Sequence, residues 1–456
     1  MVWNHKLAHF LLSGGEKISD SEISGLYKTE NIEDVEKAQK ESFKNLPNML
    51  SLYEDIELKI LEIIEVMHGH GIYIDREKLS HLSGDYGNKR DALSKKITEK
   101  LGPINLNSPK QLGQVLVLEH KLNLPKTKTG QYTTTSEALS VYAKSNEVVR
   151  EILEFRALDK IINTYILPVL ERLDESSRIH PDYDLMSAAT GRMAAHNPNI
   201  QSTPVTGLYG DAIRSVFAAP HGKKLIAFDY SQQELRILAH LSQDPKLHDA
   251  FAKGIDIHVL TASSVLQIPG DKIGKAERNI GKTLNFGIIY GETPYGLAKQ
   301  LGKSPEECAG ILRRYFETYY GVKKYFDNLM IHAKIHGFIE TILGRRRGIP
   351  GQKIYTPKKS LLPAEERIIK NFPIQGSAAD MTKKAMVDIW EKVMPKHKEA
   401  NLIMQIHDEL VFEYDSVDEK KIKSFAEEIK STMTSAMPLS VPVEVDWKMG
   451  ESWGEI

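Results

Sequence analysis

Apolar residues recur at helical spacing over residues 49–69 (MLSLYEDIELKILEIIEVMHG), and the pattern stops at Gly69 and Gly71. A second helical stretch runs from 76 to 101, and another fills 136–175. Between them, Pro103, Asn105, Asn107, Pro109, Pro125 and Gly130 predict loops around a short helix. Residues 1–48 read as short helical pieces broken by Gly14-Gly15. From 178 the texture changes. Residues 224–228 (KLIAF) form a continuous apolar run that ends at Asp229, the signature of a short buried strand. Residues 231–344 are mostly helical, with breaks near Pro269-Gly270, Gly291, Gly302 and Gly321. Two apolar runs flank His-Asp-Glu in 402–414 (LIMQIHDELVFEY), which predicts a β-hairpin; a helix over 419–436 and a strand over VPVEVDW follow. The fold class is α+β, one sheet assembled from distant segments with long helical insertions.

Composition narrows the class without naming a function. The chain has 456 residues, 41% hydrophobic and 27% charged, as in ordinary globular proteins. Its length suits two to four domains. One cysteine, Cys308, excludes a disulfide framework and a cysteine zinc site. No apolar run approaches the roughly 18 residues that span a bilayer, and the N-terminus has too short an apolar core for a secretory signal. The expectation is a cytoplasmic monomer (host cytoplasm or nucleoid if the source is a virus) that engages no membrane. Net charge is −1, so any nucleic-acid footprint must come from segregation. Basic clusters lie at 89–100, 121–130, 345–347 and 357–370, and acidic stretches at 30–41 and 413–429.

Two carboxylates stand out. Asp229 closes the buried strand, and Asp408 sits at the hairpin tip about 180 residues later. On adjacent strand ends such a pair can share two Mg²⁺ ions about 3.5–4 Å apart, the arrangement of in-line phosphoryl transfer. Either residue alone reads more readily as a turn aspartate. Arg278, Lys282, Phe286 and Tyr290 follow at four-residue steps. Each step drifts by about 40°, so all four fall on a helix stripe roughly 120° wide. Two cations and two aromatics on one face suit a triphosphate at one end and a base or sugar at the other. A snorkelling surface stripe with aromatics in the core is the plainer alternative. Gly281-Lys282-Thr283 imitates the end of a Walker loop, but residue 276 is alanine and no strand precedes it.

Together these segments resemble the family-A DNA polymerases, the group of bacterial DNA polymerase I. DYSQQELRILAHL (229–241), RNIGKTLNFGIIYG (278–291) and QIHDELV (405–411) look like that family's motifs A, B and C. ATGRMAAHNPNIQSTP (189–204), TILGRRR (341–347) and NFPIQGSAAD (371–380) match further blocks in the family's order. The likeness covers roughly residues 49–456. It implies primer-template DNA and a dNTP as partners and two Mg²⁺ ions, replaceable by Mn²⁺, as cofactors. By the resemblance, Asp229, Asp408 and the Tyr230 carbonyl hold the metals, with Glu409 as an auxiliary carboxylate. Arg278, Lys282 and His258 grip the triphosphate. Phe286 stacks on the nucleotide, Tyr290 holds the template-base position, and Glu234 excludes a 2′-OH. Arg192, Gln375 and His407 touch the primer-terminal pair, Arg367 and Asn371 contact the template, and Gln201 lies in a further DNA-contacting block.

The same resemblance implies a right-hand architecture. Residues 1–48 look like the end of a 3′-5′ exonuclease-like domain whose metal-binding carboxylates are not among them, so proofreading is expected to be absent. The thumb is expected at 49–165, with Lys126-Thr127-Lys128, Asn105 and Asn107 along the duplex. The palm is expected at 166–244 and 371–456, and the fingers at 245–370. Gln233 departs from the family, which usually has an aliphatic residue there. A buried amide must find hydrogen bonds, so Gln233 is expected to bond Glu234, the motif B helix or a water beside the nucleotide pocket. Two other readings stay open: a polymerase that copies RNA templates, and a non-catalytic primer-template-binding descendant.

Overall fold

The computed structural model describes residues 2–204, 209–350 and 357–456. They form two compact units, and the class is α+β.

The first unit comprises Met1–His70, Tyr183–Ala195 and Ile226–Lys448. Its centre is a four-stranded sheet. We number its strands β1 (Lys224–Tyr230), β2 (Ala400–Ile406), β3 (Glu409–Tyr414) and β4 (Val445–Gly450), and their order is β4-β1-β3-β2. β1 is inside the sheet, and Leu225, Ile226, Ala227 and Phe228 are all buried. That explains the unbroken apolar run, because a strand covered on both faces has no polar phase. β2 and β3 are antiparallel and pair Ile406 with Glu409 across a two-residue turn. His407 occupies the left-handed region there (φ +56°). The last strand begins later than its apolar pattern predicts, at Val445, and runs on to Gly450. Pro442 lacks an N–H for a ladder, and its carbonyl instead accepts from Arg236.

The same unit contains helices α1 (Gln233–Ser242), α2 (Ile257–Leu266), α3 (Lys275–Ile289) and α4 (Pro363–Lys392). α2 and α3 pack closely. A Cβ on Gly281 would lie 2.0 Å from the His258 carbonyl oxygen, so this glycine is a packing residue. α4 carries an internal Pro373 and the small run Gly376-Ser377-Ala378-Ala379. Ser377 donates to the Pro373 carbonyl at 2.6 Å. A Cβ on Gly376 would lie 2.6 Å from the Thr341 methyl. The break expected near Gly321 falls at Tyr319, between helices Pro305–Thr318 and Tyr320–His336. Residues 338–340, inside the stretch read as helical, form a short antiparallel pair with residues 346–348, just beyond it. The helix predicted over 49–69 spans 47–70 with a π-helical turn at Leu52–Glu57. That turn buries Glu57 completely.

The second unit comprises Gly71–Asp182, His196–Leu225 and Met449–Ile456. Helices Arg76–Leu101, Pro109–Leu118 and Glu147–Ile161 enclose a core that includes Ile97, Leu112, Leu116, Val149 and Ile152. Asn107 donates to Asp159 at 2.9 Å, and Lys126 lies over the Tyr132 ring at 5.0 Å. Among the described residues no helix is long and apolar enough to cross a membrane.

Candidate active site

Strand β1 delivers Asp229 and the β2–β3 turn delivers Asp408 to one cavity of about 490 Å³ in the first unit. The backbone joins them: Tyr230 N–H points at the Asp408 carbonyl at 3.5 Å. Burial and then the Asp408 charge, followed by Glu409 and Asp446, push the Asp229 carboxyl up to about 8. Burial also raises Asp408. Two carboxylates this coupled share a proton when no cation is near. Hard oxygen donors that repel one another suit Mg²⁺, which takes few carboxylates and completes its shell with water and phosphate oxygens. Among the described residues no three His, Cys, Asp or Glu side chains cluster as a metal cage.

The opposite wall comes from the helices. Lys282, Phe286 and Tyr290 line the cavity from α3 and the residue after it, and His258 lines it from α2. Three of the four residues of the stripe read from sequence therefore share the cavity with the carboxylates. His258 Nδ1 accepts from the Asn285 amide at 3.0 Å, and Asn285 Oδ1 accepts from Thr261 at 2.9 Å. This leaves the imidazole proton on Nε2. Burial lowers the His258 pKa, which favours the neutral ring. Arg278, one turn before Lys282, is not in the cavity wall. Its Nε donates to Asp256 at 2.7 Å, and Asp256 also caps α2 through His258 N–H and Val259 N–H.

Glu234 is buried at the start of α1. Its carboxylate pairs with Arg192 at 2.5 Å, and burial raises its pKa against the lowering effect of Arg192 and Tyr290. Gln233 is buried beside it and bonds as expected, with different partners. Its amide donates to the Ala378 carbonyl (3.3 Å) and the Thr382 hydroxyl (3.2 Å), both on α4. His407 lines the cavity, and Gln405 donates to its carbonyl at 2.6 Å. Tyr230 is anchored from behind, its hydroxyl donating to the Met433 carbonyl at 2.8 Å. Arg367, Asn371 and Gln375 follow one face of α4 at four-residue steps and are not in the cavity wall. Neither is Glu409, which opens β3. Gln201 is in the second unit, in a short turn at Ile200–Ser202.

Sequence reasoning passed over Asp446, Thr382, Lys383 and Gln405, all in the wall. Asp446 belongs to the strand that had been read only for its apolar phase. Its sole local signal was an acidic residue between Val445 and Trp447.

The family model described as DNA polymerase family A matches residues 76–455. DNA polymerase I of Bacillus subtilis is 37% identical over 412 residues, covering 89% of this chain and 46% of that protein. The Pseudomonas aeruginosa enzyme of the same name is 37% identical over 416 residues, 90% of this chain and 45% of that protein. The Caldicellulosiruptor bescii one is 39% identical over 409 residues, 89% and 47%. The chain thus spans a little under half the length of these curated relatives. A solved structure titled the POL domain of Pol1 from M. smegmatis, in complex with DNA primer-template and dNTP, superimposes with a TM-score of 0.90. It is 32% identical and covers 99% of this chain and 82% of that one.

Proposed function

The chain belongs to DNA polymerase family A, and from that premise we propose that it is a DNA-directed DNA polymerase extending a primer 3′ end with dNTPs. One observation carries the reading: a single cavity has the Asp229–Asp408 pair on one wall and Lys282, His258, Phe286 and Tyr290 on the other. We assign the sheet and α4 to a palm, the helical residues 245–370 to fingers and the helices of 76–165 to a thumb.

Asp229 and Asp408, with the Tyr230 carbonyl, would hold two Mg²⁺ ions, which supply charge neutralisation and activation of the primer hydroxyl. The primer 3′ hydroxyl gives up its proton to solvent as its oxygen bonds to the α-phosphorus, and the bond to pyrophosphate breaks, releasing pyrophosphate. Lys282 offsets charge on the triphosphate, and His258 donates through Nε2. Arg278 joins them by exchanging Asp256 for phosphate. Phe286 supplies an aromatic face to the nucleotide, and Tyr290 occupies the template-base position. Glu234, tied to Arg192, takes the space of a 2′-OH. Arg367, Asn371 and Gln375 present amide and guanidinium donors toward template and primer.

We also propose that this polypeptide extends without trimming. Its helices over residues 5–43 use their carboxylates as caps and ion pairs: Asp20 holds His5 and Lys6, and Glu22 closes a capping box with Ser19. Primer extension by the purified chain in Mg²⁺ tests both readings. Template-dependent lengthening is expected. Binding of primer-template without extension would identify a non-catalytic descendant, and metal-dependent shortening of a single-stranded 3′ end would overturn the second proposal.

A further inference from the structure

The segment that carries Arg192 is clamped from beneath. Gly191 has φ +79°, and its N–H bonds the Ala188 carbonyl at 2.8 Å. A Cβ there would lie 2.5 Å from the guanidinium carbon of Arg345 and 2.6 Å from its Nε. The Gly191 backbone therefore rests on the Arg345 guanidinium, an approach only glycine permits. Arg345 is 2% exposed, and anions hold it on both sides. Asp380 accepts from its Nε at 2.9 Å and from its Nη2 at 2.7 Å, and Glu57 accepts from Nη2 as well. Thr341 orients Asp380 at 2.7 Å. The same segment is pinned farther back, where Lys17 pairs with Asp184 at 2.7 Å and a Cβ on Gly15 would lie 2.4 Å from the Ala189 methyl.

We propose that Arg345 is a positioning residue for sugar discrimination: it fixes the height of Gly191 and thereby the reach of Arg192 to Glu234. Arg192 is the next residue after the supported glycine, and its 2.5 Å pair to Glu234 has little tolerance for a shift of the backbone. Glu234, the second residue of its helix and buried, takes its orientation from that pair. The guanidinium does this as a rigid plane held by two carboxylates, a task a lysine ammonium cannot copy. The inference rests on the polymerase reading, and it adds a residue that touches neither nucleotide nor metal.

The test is single-nucleotide incorporation with matched deoxy- and ribonucleotides, compared as the ratio of kcat/KM, for the wild type, Arg345→Lys, Arg192→Ala and the double variant. Thermal melts accompany each. If the wild type fails to extend a primer, the polymerase reading falls and takes this inference with it. If it extends, a folded Arg345→Lys should lose about threefold to a hundredfold in discrimination, the range expected inside one polar network. Arg192→Ala should lose discrimination too, and adding Arg345→Lys to it should change the ratio no further. A folded Arg345→Lys with wild-type discrimination overturns the proposal. So does an effect that persists in full on the Arg192→Ala background, because Arg345 would then act by another route. Should the lysine variant not fold, Gly191→Ala perturbs the same contact from the other side and carries the same expectations.

Discussion

Glu57→Gln probes the charge balance behind the active site. Glu57, Asp380, Arg345 and Lys383 are each at most 2% exposed and sum to zero charge. Lys383 Nζ donates to both Glu57 oxygens at 2.8 Å. Burial alone would push the Glu57 carboxyl up, but the Lys383 and Arg345 charges outweigh it and hold the group below its ordinary range. The glutamine leaves two buried cations facing one anion. Breaking a buried pair by removing one partner costs about 3–5 kcal/mol, a large share of the roughly 5–15 kcal/mol that holds a domain together. Lys383 can limit the loss by shedding its proton, because burial already lowers its pKa. A base whose pKa is depressed by folding destabilises as pH falls below its unfolded value, so the deficit should be greater at an acidic than at an alkaline pH. Adding Lys383→Met restores one cation to one anion and should recover most of the loss. Urea melts followed by far-UV circular dichroism, at both pH values, read all of this. A Glu57→Gln midpoint equal to wild type, or a double variant as weak as the sum of the singles, would refute the reasoning.

Asp229→Asn and Asp408→Asn should each abolish extension while primer-template affinity, read by fluorescence anisotropy, stays within about threefold, since several kcal/mol of transition-state charge stabilisation depends on the pair. Glu234→Ala should raise ribonucleotide incorporation with partial loss of normal turnover, and gel-resolved extension on rNTPs checks it. Gln233→Ile exchanges two buried hydrogen bonds for apolar burial. Thr382 can turn its hydroxyl back to the Ala378 carbonyl, so stability should move by no more than about 1 kcal/mol, while dNTP KM or misincorporation shifts with DNA affinity unchanged. His9 is 4% exposed, neither ring nitrogen has a hydrogen-bond partner among the described residues, and burial lowers its pKa. Stability should therefore fall as pH drops below about 6.5, and His9→Leu should flatten that slope in melts at stepped pH.

Local periodicity carried a great deal here. The apolar run before Asp229, the hairpin around His407-Asp408 and the four-step stripe from Arg278 to Tyr290 are all short-range patterns. Each is imposed by the burial of one face or one strand, so each was legible from the residues alone. The expectation that a glutamine at 233 must find bonds was legible too, because burying an amide has a fixed cost wherever it happens. What bonds it was not. Ala378 and Thr382 are about 145 residues away, and only the packing of α1 on α4 brings them near. The same holds for Asp446, which joins the carboxylates by strand order, and for Asp256, which holds Arg278. It holds most clearly for Arg345, whose block resembled a family motif without indicating any task. A π-helical turn at 52–57 and the stretch of α4 that carries Asp380 have to converge before that guanidinium has two anions beside it and a glycine above it. Periodicity reports which face of a segment is buried, and only the tertiary structure decides which distant segment buries it.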